Sequence, residues 1–80
     1  MQHWRLNLQN RLASQYDVSV FNTNLSRDYV FNILKLFCET LGICEQEQEN
    51  GKMHHHILIQ LNDKFNAADL NDIIQMVYGL

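Results

Sequence analysis

The sequence predicts an α+β domain of the ferredoxin-like split βαβ kind, an antiparallel sheet with two helices on one face and without its last strand. Three observations carry that expectation: an alternating segment at residues 16–21, two apolar stretches at helical spacing, and two strand-like runs flanking Asn50-Gly51. In chain order they read strand, helix, strand, strand, helix, which is most of a split βαβ unit.

The N-terminal segment is open to two readings. Trp4, Leu6 and Leu8 alternate as in an additional strand, whereas Leu8, Leu12 and Ala13 permit a short helix. From residue 16 the pattern is clearer, with Tyr16, Val18 and Val20 on one side of a strand and Asp17 and Ser19 on the other. Residues 22–26 form a loop that ends at Ser26, a helix N-cap whose hydroxyl can accept from a free backbone N–H. Asp28 then suits the positive end of the helix dipole. Val30, Ile33, Leu34, Phe37 and Leu41 recur at helical spacing, so the first helix is expected to run from Ser26 to Leu41, with Gly42 ending it in the left-handed conformation.

Residues 43–48 and 53–61 flank Glu49-Asn50-Gly51-Lys52, and Asn-Gly between such runs signals a tight hairpin. The second helix is capped by Asn66 and carries Leu70, Ile73, Ile74 and Val77 on one stripe.

Eighty residues allow a single domain, 1–80, near the lower limit for a core without staples. With 46% hydrophobic and 19% charged residues and no proline, the composition is that of a folding chain. Cys38 and Cys44 are too few for a disulfide framework and lack zinc-type spacing, so both are read as reduced core thiols of an intracellular protein. No apolar run approaches the roughly 18 residues that span a bilayer, and the N-terminus lacks a signal-peptide core, so no membrane partner is expected. The net charge of −3 and six scattered cations argue against binding nucleic acid by phosphate neutralisation alone.

If Asn50-Gly51 is the centre of a two-residue turn, Glu47 stands opposite His54, Gln46 opposite His55, and Glu45 opposite His56. Glu45, Glu47, His54 and His56 then share one face, and Cys44, Gln46, His55, Ile57, Ile59 and Leu61 share the other. The apolar members of the second set pack beneath the helices, so the Glu/His set faces the open side. Two imidazoles and a carboxylate leave coordination positions for water or phosphate oxygens, which suits Mg²⁺ or Mn²⁺ and also accommodates Zn²⁺, Co²⁺ or Ni²⁺. A plainer reading of the same residues is a solvated strand with Glu45 and Glu47 as cross-strand partners of the histidines. The histidines lie mid-chain within an apolar strand, unlike an expression tag.

Residues 43–61, with Glu45, Glu47, the Glu-Asn-Gly turn and His54-His55-His56 followed by an apolar strand, resemble the metal-binding motif of the HUH endonucleases. The likeness is greatest to rolling-circle replication initiators (Rep) of small circular single-stranded DNA viruses such as geminiviruses. It covers about a quarter of the chain; upstream, only the element order agrees. The resemblance implies that His54 and His56 are metal ligands and that Glu45 or Glu47 is the third. It also implies Mg²⁺ or Mn²⁺ as cofactor, single-stranded DNA of a replication origin as partner, and metal-dependent DNA nicking and joining as activity. In that chemistry a tyrosine attacks the phosphodiester while the metal stabilises developing charge.

Two departures stand out. His55 replaces a usually apolar residue, and no Tyr-x-x-Lys follows the histidines. Tyr78 is the one tyrosine beyond them and the candidate nucleophile, although it comes early and lacks the lysine. The expectation is therefore an N-terminal part of a longer initiator, with its nucleophile and last strand beyond residue 80, or a reduced relative that binds without cutting. The compartment would be the nucleus for a eukaryotic virus and the cytoplasm for a bacterial or archaeal source, including a phage or plasmid relative. The alternative from another class is a non-catalytic ferredoxin-like binding or dimerisation module, a homo-oligomer with an incidental or structural His/Glu metal site.

Overall fold

A computed structural model describes the backbone of residues 3–8 and the whole of residues 15–79. Its elements are β1 (His3–Leu8), β2 (Gln15–Thr23), α1 (Arg27–Leu34), a 3₁₀ turn (Lys35–Phe37), β3 (Cys38–Glu47), β4 (Met53–Leu61) and α2 (Ala67–Tyr78). The strands form one antiparallel sheet in the order β1-β2-β4-β3, with both helices packed against it.

The expected α+β architecture is present, and no strand follows α2 among the described residues. β1 pairs with β2, Trp4 opposite Val20 and Leu6 opposite Val18, and so takes the edge that a strand after α2 would occupy. The N-terminal segment is thus a strand through Leu8; Leu12 and Ala13 of the helical alternative lie outside the described residues.

Period two selects the core. Tyr16, Val18 and Val20 of β2 are buried, as are Ile57, Ile59 and Leu61 of β4, against Val30 and Leu34 of α1 and Leu70, Ile73, Ile74 and Val77 of α2. The two cap expectations hold. Ser26 accepts from the Tyr29 N–H at 3.2 Å. Asn66 and Asp69 form a reciprocal capping box, and Gly79 ends α2 in the left-handed conformation at φ 71°.

The first helix is shorter than its periodicity predicts. It stops at Leu34, and β3 begins at Cys38, so Leu41 and Gly42 are strand residues and Gly42 has no positive φ. The reason is tertiary. Leu41 and Ile43 stand opposite Ile59 and Ile57, and period-two packing under the helices outweighs one more helical turn. Phe37 meets Phe65 edge-on at 5.4 Å, and its carbonyl accepts from the Asn62 N–H, which fastens the junction. Among the described residues no helix is long and apolar enough to cross a membrane.

Candidate functional site

The β3–β4 turn has three loop residues rather than two. The Gly51 N–H donates to the Gln48 carbonyl at 3.0 Å, and the Gln48 N–H donates to the Lys52 carbonyl at 2.8 Å. Gly51 has φ 81°, whereas Asn50 is not among the residues with positive φ. This is a type I turn closed by a left-handed glycine, in place of the turn that needs positive φ at both Asn50 and Gly51.

The extra loop residue moves every pair by one. Glu47 stands opposite Met53, Gln46 opposite His54, Glu45 opposite His55, and Cys44 opposite His56. A slip of one exchanges the faces of a strand. Glu45 and Glu47 therefore fall on the helix side with His55, while His54 and His56 remain on the open side with Cys44 and Gln46. The expected set of Glu45, Glu47, His54 and His56 is divided between the two faces. Among the described residues no three His, Cys, Asp or Glu side chains are grouped to hold a metal ion. One signal in the sequence points to this register: Leu41 and Ile43 share a parity, and bringing both opposite Ile59 and Ile57 excludes the two-residue loop.

On the helix side the slip builds a buried polar chain that sequence reasoning missed. His55 is 0% exposed. Its Nε2 lies 2.9 Å from Oε2 of Glu45 and its Nδ1 lies 2.7 Å from the Tyr78 hydroxyl. The same Glu45 oxygen accepts from the Arg27 N–H at 2.9 Å, in the first turn of α1. A neutral imidazole satisfies both contacts if Nε2–H donates to the carboxylate and Nδ1 accepts from the phenol. The hydrogen bond from His55 is the main cause that lowers the Glu45 pKa, with the Arg27 N–H contributing. Burial, and then the Glu45 charge, raise that of Tyr78. The chain joins α1, β3, β4 and the end of α2. Tyr78, the candidate nucleophile, is 5% exposed and belongs to this interior network, away from His54 and His56 on the open face.

The open face carries a different set. The Phe21 and His54 rings stack with centroids 4.4 Å apart and planes 17° from parallel. The stack seals Nε2 of His54, which has no hydrogen-bond partner among the described residues. Desolvation first, then the neighbouring His56 and His55, lower the His54 pKa from its ordinary value, favouring the uncharged ring. His56 follows and its Nε2 pairs with Asp17 of β2. Beyond it Leu58 is 58% exposed, between Asp17 and Gly42 in the ladder. Gln60 comes last, flanked by Gln15 and Thr40.

The rim between the faces is clamped. Asn22, a non-glycine residue at φ 58°, donates its N–H to Oε1 of Gln48 and accepts at Oδ1 from the side-chain amides of Gln48 and Asn50. These bonds tie the end of β2 to the hairpin and account for a conformation that asparagine tolerates better than most residues. No family model, no curated protein and no solved structure matches the chain.

Proposed function

We propose that this chain is a non-catalytic ferredoxin-like binding module that takes single-stranded DNA on the uncovered face of its sheet. The observation that supports this reading is the Phe21–His54 stack, set beside His56 and the exposed Leu58 on a face with no described helix against it. Unpaired bases bind sequence-tolerant aromatic platforms of this kind, each stacked base contributing about 1–3 kcal/mol. Because the net charge is −3 and cations are few, affinity comes from stacking and depends weakly on salt. Fluorescence anisotropy with short labelled oligodeoxynucleotides tests the reading. Phe21→Ala should weaken binding about tenfold, whereas Phe31→Ala on the helix side should leave it unchanged. Absence of binding, or equal affinity of the wild type and Phe21→Ala, would remove it.

A second reading keeps the likeness to rolling-circle initiators. It is favoured by His54 and His56 sharing the open face, with the Asp17 carboxylate on His56. In that reading His54, turned out of its stack on Phe21, and His56 with the Asp17 carboxylate hold Mn²⁺ without Glu45 and Glu47, and the nicking tyrosine is none of the described ones. Mn²⁺ titration separates the two. A thermal shift in the wild type that disappears in a His54→Ala/His56→Ala variant supports the metal site, and equal behaviour removes it.

A further inference from the structure

β3 is one edge of the sheet and carries ten residues, against six in β1 at the other edge. The hairpin fixes which of its backbone groups face outward. The Gln48 N–H donates to the Lys52 carbonyl, so Gln48 and Lys52 are a hydrogen-bonded pair. Alternation along the ladder makes Gln46/His54, Cys44/His56 and Gly42/Leu58 bonded pairs as well, and it turns the N–H and C=O groups of Leu41, Ile43, Glu45 and Glu47 away from β4. Among the described residues the backbone of these four bonds to no other element. The strand contains no proline, lysine or arginine, and its ladder is regular from Thr40 to Glu47, so nothing at this edge blocks an added strand.

The glutamates of β3 restrict how it can pair with itself. Glu39, Glu45 and Glu47 have one parity, and like charges directly opposed weaken a ladder. In a two-fold pair, outward-facing positions meet only one another, so the open faces of both copies stay on the same side. A register centred on Leu41 avoids glutamate against glutamate but runs through the irregularity between Cys38 and Thr40. The register centred on Cys44 avoids it along the regular stretch, pairing residues 41–47 and stopping before Glu39. It sets Ile43 against Glu45, Leu41 against Glu47, and Gly42 against Gln46. The space at Gly42 is then used: a Cβ built there meets nothing within 4 Å and its φ is not positive, so the backbone does not require the glycine, and Gln46 of the second copy lies across it. Cys44, expected in the core, is instead exposed on the open face and meets its own copy.

We infer that β3 pairs antiparallel with β3 of a second copy of this chain about a two-fold axis at Cys44. The result is one continuous sheet in the order β1-β2-β4-β3-β3-β4-β2-β1. About eight backbone hydrogen bonds close the junction. The contact is small for an obligate dimer, so association is reversible. The pairing does not depend on the proposed single-strand binding.

Sedimentation equilibrium of the full 80-residue chain in reductant, over a dilution series, should show monomer and dimer. Cys44→Glu opposes two like charges at the axis and should weaken association about threefold to fivefold. Disulfide trapping reads the register. In a non-hydrogen-bonded antiparallel pair the Cα atoms lie about 4.5 Å apart, within the range a disulfide spans. Oxidised glutathione joins the two Cys44 Sγ atoms, taking up two electrons and two protons and leaving as two molecules of reduced glutathione. The covalent dimer should form at least about tenfold faster than from Cys44→Ser/Met76→Cys, whose exposed thiol on α2 meets its copy only by collision. On the Cys44→Ser background, Gly42→Cys and Gln46→Cys should each fail to couple alone and should couple when mixed. A chain that is monomeric throughout the dilution series overturns the proposal. So does a dimer whose Cys44 couples no faster than Met76→Cys, or in which Gly42→Cys couples with itself and not with Gln46→Cys. Unchanged association of a Cys44→Glu protein with native circular dichroism also overturns it.

Discussion

Glu45 and His55 face each other across the β3–β4 ladder, with the carboxylate 2.9 Å from Nε2 of the imidazole. The Asn-Gly signal alone places His56 opposite that glutamate, so this pair marks the one-residue difference between a metal-binding hairpin and a hairpin anchored to its helices. With the Arg27 N–H and the Tyr78 hydroxyl, the pair holds the ends of both helices to the sheet.

Removing the phenol tests that network. Tyr78→Phe leaves Nδ1 of a fully buried imidazole without its 2.7 Å partner and should lower the free energy of unfolding by about 1–3 kcal/mol in urea titrations. An unchanged midpoint would mean that the contact contributes nothing to stability.

Stability should fall with acid in two stages of the same sign. His54 has a lowered pKa in the fold, so the unfolded chain takes up its proton first as pH drops below the ordinary 6.5, and the contribution present above that pH is lost toward the lower folded value. Glu45, lowered chiefly by its hydrogen bond to His55, adds a second loss below its ordinary 4.5. Thermal melts across this range should show both, and His54→Gln should flatten only the upper stage.

The two turn geometries differ in what they ask of Asn50. Gly51→Ala forces an alanine to φ 81° and should cost about 1–2 kcal/mol. Asn50→Ala loses hydrogen bonds to Asn22 and the Lys52 N–H but incurs no left-handed strain, and should cost less. A larger cost at Asn50 would favour the two-residue loop.

The two thiols should separate in reactivity. Cys44 is exposed, whereas burial pushes the Cys38 thiol up to about 11, so little thiolate forms there near neutral pH. Labelling with a chromogenic disulfide at pH 8 should give a fast phase that vanishes in Cys44→Ser and a slow phase from Cys38. A single phase of two equivalents would contradict the burial of Cys38.

What could be read from sequence was local. The alternation of Tyr16, Val18 and Val20, the stripe of Leu70, Ile73, Ile74 and Val77, and the caps at Ser26 and Asn66 each depend on a short stretch of chain, and the structure reproduces them. The end of α1 was not readable in the same way, because Phe37 and Leu41 satisfy helical spacing while Leu41 and Ile43 satisfy that of a strand.

By itself the sequence determined an α+β chain with a hairpin at Asn50-Gly51 and which side of β2 and β4 is apolar. Only the tertiary structure decided that β1 takes the edge beside β2, and that Glu45 belongs with His55 inside while His54 and His56 stay outside. The reason is that two- and three-residue loops both accept Asn-Gly, and the choice between them is made by burial of Leu41 and Ile43 against Ile59 and Ile57, contacts between residues well separated in the chain.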